Sequence, residues 1–97
     1  MEIRVRIPAP LKKLAGEQDV IKSQGRTVGE VLRWLTDTYP ALEERLRDEK
    51  GEVRRFINIY VNDEDIRFIQ NLATPLKEGD QISIIPAIAG GSSLGKG

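Results

Sequence analysis

The sequence predicts an α+β domain, a mixed sheet of four to five strands packed on one main helix. Three observations carry this reading. Apolar and polar residues alternate at the start, one stripe of period 3.6 follows, and β-branched runs dominate the second half. A chain of 97 residues holds one such domain, since domains run from about 50 to 250 residues.

Each element follows from local pattern. Ile3, Val5 and Ile7 lie on one side of the opening segment and Glu2, Arg4 and Arg6 on the other, which is a half-buried strand. Pro8 and Pro10 end it, because proline fixes φ and has no N–H for a ladder. Leu11 to Leu14 reads as a short turn broken by Gly16, and Asp19 to Lys22 as the returning strand. Thr27 with Glu30 three residues later is a capping box. Val28, Val31, Leu32 and Leu35 then form the core stripe of the main helix, with Trp34 on its flank. Pro40 stops that helix at Thr38 or Tyr39. A second short helical stretch is expected over Ala41–Arg47, and a polar turn over Asp48–Glu52.

Arg55 to Asn62 is the strongest strand signal. Its period of two puts Ile57, Ile59 and Val61 inside and Phe56, Asn58 and Tyr60 outside. Ile66 to Phe68 reads as a short edge strand and Thr74 to Asp80 as a turn. The last strand is Gln81 to Ile85, with Ile82 and Ile84 inward and Ser83 and Ile85 outward. The domain therefore spans residues 1–86. Residues 87–97 are small and aperiodic, and form a flexible arm that includes Gly90-Gly91.

Composition narrows the function classes. Fifteen basic against fifteen acidic residues give no net charge, so no nucleic-acid or membrane surface is advertised. No window approaches the ~20 apolar residues of a membrane span. The N-terminus lacks the apolar core of a signal peptide, which points to a cytoplasmic protein. There is no Cys and no His, which removes thiol and imidazole catalysis and the commonest zinc sites. A binding or carrier protein is the expectation, not an enzyme.

The remaining candidates for chemistry are weak. Asp63-Glu64-Asp65 lacks the ligand count and spacing of a calcium loop and reads as a solvated turn. Arg54-Arg55 is interleaved with acids. Ser92-Ser93 has no base to activate it, and Gly90-Gly91 lacks the Gly-Lys-Ser/Thr continuation of a phosphate loop. No catalytic residue, metal site or bound cofactor is expected. Residues Ala87 to Gly91 reach at most about 17 Å when extended, enough to carry a terminal carboxyl into a partner's buried site. On composition alone, a delivery arm and a plain linker both stand open.

A wider set of residues resembles a known family. Arg55-Phe56-Ile57-Asn58-Ile59-Tyr60-Val61-Asn62-Asp63-Glu64-Asp65-Ile66-Arg67-Phe68, Leu72-Ala73-Thr74-Pro75-Leu76 and Gly79-Asp80 are similar to the MoaD/ThiS family of ubiquitin-like sulfur carriers. So are Ile85-Pro86-Ala87-Ile88-Ala89-Gly90-Gly91, the opening Val5-Arg6-Ile7-Pro8 and the helix start Thr27-Val28-Gly29. The resemblance covers residues 1–91 and is strongest to the branch serving thiocarboxylate-dependent cysteine synthesis.

The resemblance implies a β-grasp fold and a mechanism. A ubiquitin-activating-type adenylyltransferase would join the Gly91 carboxylate to AMP from ATP, and a sulfur donor would leave a thiocarboxylate there. A pyridoxal-phosphate-dependent cysteine synthase would accept the sulfur. The carrier itself would be a monomer with no cofactor. Docking would use Phe56, Tyr60 and Ile85 on the outward sheet face, with Ile88 anchoring the base of the arm and Ala89 and Gly90 threading the partner's channel. Related carriers serve molybdopterin synthesis, thiamine synthesis or tRNA thiolation, and others are conjugated to lysines. One departure stands out: Gly91 is in amide linkage to Ser92. A JAMM-type metalloprotease cutting after Gly91 would free the carboxylate. An altered tail that blocks activation is the competing explanation.

Overall fold

In the computed structural model, residues 2–87 are described, and hydrophobic periodicity accounts for most of their order. Strand β1 (Glu2–Arg6) pairs antiparallel with β2 (Val20–Gln24), with Val5 opposite Ile21. A 3-10 helix over Ala9–Ala15 joins them, entered at Pro8 and closed by Gly16 at φ 67°. The return strand sits further along than Asp19–Lys22. Asp19 lies before it, its carbonyl accepting from the Ile7 N–H at 2.8 Å. Ser23 extends β2 in an inward slot because its hydroxyl donates to the Ile3 carbonyl at 2.9 Å, so its own burial leaves that hydroxyl paired.

Helix α1 (Val28–Thr38) begins as its capping residues dictate. Thr27 Oγ1 accepts from the Glu30 N–H at 3.2 Å, while Glu30 Oε1 accepts from the Arg26 N–H at 2.9 Å. The reciprocal bond of the box therefore lands one residue before the cap. Val28, Val31, Leu32 and Leu35 are fully buried, with Trp34 half-buried beside them. The stretch expected as one helix over Ala41–Arg47 is two pieces, a 3-10 turn at Pro40–Leu42 and the single turn α2 (Glu43–Leu46). Leu42 and Leu46 plug the core from it.

Strand β3 (Ile57–Val61) is shorter than Arg55–Asn62. Arg55 and Phe56 are in a turn, closed by the Ile57 N–H donating to the Arg54 carbonyl at 2.9 Å. The edge strand is β4 (Glu64–Asp65), and Ile66–Phe68 is a 3-10 turn, not a strand. Asp65 is the reason: its carboxylate accepts from the Arg67 N–H at 2.9 Å and caps the turn. Strand β5 (Gln81–Pro86) lies at the centre of the five-stranded order β2-β1-β5-β3-β4, parallel to β1 and antiparallel to β3. Ile57, Ile59, Val61, Ile82 and Ile84 form the inner row, in one core with α1. This is the mixed sheet and principal helix expected of a β-grasp domain.

Candidate functional site at the root of the C-terminal arm

The arm leaves from the middle of the sheet. β5 includes Pro86, one residue beyond the expected end, and Pro86 stands opposite Ile57. Bonded pairs flank that position, for Ala87 N–H donates to the Phe56 carbonyl at 2.6 Å. The nitrogen of Pro86 therefore points away from β3. On that side β1 pairs with β5 only as far as Arg6 opposite Ser83, so no ladder bond is lost to proline. The exit of the chain is held by β3 up to Ala87.

The side of the sheet away from α1 surrounds this exit. Ile85 is 46% exposed and Phe56 51% exposed, while Tyr60 is half-buried. Register places Ile85 opposite Asn58, and Ser83 between Arg6 on β1 and Tyr60 on β3. Phe56 holds the first residue of the arm through its carbonyl and precedes β3 in the turn, so it reaches this region as a loop residue, not as a strand residue. Ile88, Ala89, Gly90 and Gly91 lie outside the described residues.

A polar cluster borders the same face and was not legible as one in the sequence. Asp65 stands opposite Tyr60 and is buried, whereas its neighbours Asp63 and Glu64 are exposed. The acidic run is thus not uniformly a solvated turn. Arg67 Nη2 lies 2.7 Å from Asp65 Oδ2 and donates to Asn58 Oδ1 at 2.9 Å, and its Nε donates to both Asp65 oxygens at 3.2 Å. These side-chain hydrogen bonds from Arg67, then the bond from its backbone N–H, hold the Asp65 carboxyl below the ordinary carboxylate range. Asp65-x-Arg67 immediately after a strong strand was the available signal. Among the described residues, no group of three His, Cys, Asp or Glu side chains is arranged to hold a metal ion. No helix among them is long and apolar enough to cross a membrane.

A match to the ThiS family runs from residue 5 to residue 91. The chain belongs to the ThiS family. It is 44% identical over 93 residues to the sulfur carrier protein CysO of Mycobacterium tuberculosis, covering 94% of this chain and all of that protein. A chain in the crystal structure of the Amycolatopsis orientalis BexX/CysO complex superposes with a TM-score of 0.84 at 38% identity, over 92% of this chain and 99% of that one. Small archaeal modifier protein 3 of Haloferax volcanii is 33% identical over 93 residues, covering 94% of this chain and all of that protein. The ThiS-family match stops at Gly91 and leaves Ser92 to Gly97 beyond it.

Proposed function

We propose that this protein is a ubiquitin-like sulfur carrier whose working terminus is Gly91, acting in the cytoplasm as a co-substrate of partner enzymes. The observation that carries the reading is a family match that ends on the second glycine of Gly90-Gly91, over a fold that anchors the root of that segment at Ala87. Glycine suits the end of the arm because it has no side chain to obstruct a narrow channel.

The chemistry requires a free carboxylate. Hydrolysis of the Gly91–Ser92 bond, by a JAMM-type metalloprotease in this reading, adds water and yields the Gly91 carboxylate and the Ser92 amine. The carboxylate attacks the α-phosphorus of ATP on an activating adenylyltransferase, giving the acyl-adenylate and pyrophosphate. A sulfide-level donor then attacks the acyl carbon and displaces AMP, leaving the thiocarboxylate. The carrier supplies no proton shuttle and no cofactor for these steps, so its lack of His and Cys costs it nothing. Phe56, Tyr60 and Ile85 are the docking residues, and Ile88 to Gly90 the segment that enters the partner. The similarity to CysO favours cysteine synthesis, with a pyridoxal-phosphate-dependent synthase as acceptor enzyme.

The test is direct. A chain ending at Gly91, incubated with the organism's activating enzyme, ATP and sulfide, gains a C-terminal thiocarboxylate, while the 97-residue chain does not. No thiocarboxylate from either would sink the carrier reading, and equal conversion of both would remove the processing step. A second reading has its own support in the similarity to small archaeal modifier protein 3. As a modifier, the chain would appear in cell extracts joined through Gly91 to lysine side chains.

A further inference from the structure

The charges of this net-neutral chain are divided between its faces. Arg4, Arg6 and Lys22 are exposed on strands whose alternate residues, Ile3, Val5 and Ile21, fill the core. All three therefore project from the outer side of the sheet. Arg6 is in register with Ser83, and Ser83 with Tyr60, so the basic rim and the apolar centre share one surface. Arg67 borders the opposite edge, its Nε and Nη2 held by Asp65 and Asn58 and its Nη1 without a partner among the described residues. On this face Glu2 lies 3.8 Å from Arg4, and Asp65 is buried under Arg67. Arg6 and Lys22 form no ion pair among the described residues. By contrast, residues 28–52, which hold α1, α2 and the following turn, carry seven acidic against four basic residues.

We propose that the outer sheet face docks against an acidic, carboxylate-bearing surface of the enzyme that activates the C-terminal glycine. This inference rests on the carrier reading above and adds the partner's charge. Phe56, Tyr60 and Ile85 are covered at the centre, and Arg4, Arg6, Lys22 and Arg67 meet carboxylates at the rim. A face-to-face separation of charge on a neutral molecule orients it without attracting it to every polyanion. An acidic partner draws the sheet side in and repels the helical side. Since the arm leaves from β5 on that same sheet, the orientation that satisfies the charges also sets the root of the arm, at Ala87, beside the partner. Rim charges of this kind act mainly on the association rate.

Association of the 97-residue chain with the organism's activating enzyme is followed by stopped flow, for the parent, Arg6→Glu/Lys22→Glu and Glu43→Lys/Glu44→Lys. The substituted side chains are exposed, and a thermal melt checks that each variant folds; Arg6→Gln serves if the double reversal does not. The proposal predicts that reversing the basic pair slows association about tenfold at low ionic strength. That difference collapses near 1 M salt, where the Debye length is about 3 Å. Reversal on α2 leaves the rate unchanged or raises it. Equal slowing in both reversals, or none, overturns the charge assignment while leaving thiocarboxylate formation, and so the carrier reading, intact. Retention of the parent on immobilised RNA in place of the enzyme overturns it too. Absence of binding, together with no thiocarboxylate from the chain ending at Gly91, removes the carrier reading itself.

Discussion

Asp65 shows how a single residue escapes a pattern read one residue type at a time. In sequence it is the third of three acids, and the expectation was water. In the fold it caps a 3-10 turn, takes up the Arg67 guanidinium and is buried, because it stands opposite Tyr60 at the sheet edge. Its folded-state carboxyl titrates below the unfolded value of about 3.9. The native state therefore binds fewer protons than the unfolded chain in that range. Asp65 contributes stability that is present above about pH 4 and is lost as pH falls through its depressed folded value. Denaturant unfolding between pH 2 and 7 checks this, since Asp65→Asn should lower stability at neutral pH, leave it nearly unchanged at the lowest pH, and so flatten the acid limb of the stability profile. Core residues were easier to read, because burial follows period. Leu32 and Ile59 are buried, and truncation of either to Ala should cost about 2–5 kcal/mol. A loss under 1 kcal/mol in equilibrium unfolding would contradict that placement.

At the scale of elements, α1 was legible to within one residue because its signals are local. A cap, a stripe and a proline all lie within one segment. Thr27→Ala should lower stability by about 1 kcal/mol, read from the denaturation midpoint, since it removes the acceptor for the Glu30 N–H. Elements set by long-range pairing were less legible. The strand over Ile66–Phe68 does not exist because side-chain capping by Asp65 competes with the ladder. β2 runs on to Gln24 because Ser23 finds a carbonyl on β1, a partner 20 residues away. The limit of β3 likewise depends on the turn at Arg54–Ile57, which breaks an otherwise continuous β-branched run. Gly25 marks a contact no periodicity reveals: a Cβ there would meet the Val31 nitrogen at 2.9 Å. Gly25→Ala should therefore cost about 1–3 kcal/mol, measured in the same way.

For the whole molecule, the mixed sheet and single main helix were readable from element order alone, and the family resemblance supplied the β-grasp topology. The position of β5 between β1 and β3 brings the chain out from the middle of the sheet, and no window of sequence contains that fact. The proposed site divides in the same way. Gly90-Gly91, Phe56, Tyr60 and Ile85 could be named from pattern and resemblance, whereas the Asp65–Arg67–Asn58 cluster and the charged rim depend on register across strands. Truncation of the chain after Ala89 should abolish thiocarboxylate formation and leave the thermal unfolding transition in place, because it removes none of the strands and helices found among the described residues, which run from Glu2 to Pro86. Processing and sulfur carriage are read together in the intact mass of the untagged protein isolated from its own cells. A working carrier gives a species ending at Gly91, a fraction of it with one oxygen replaced by sulfur. A homogeneous species retaining Ser92 to Gly97, still unmodified after incubation with ATP, sulfide and the activating enzyme, would contradict it.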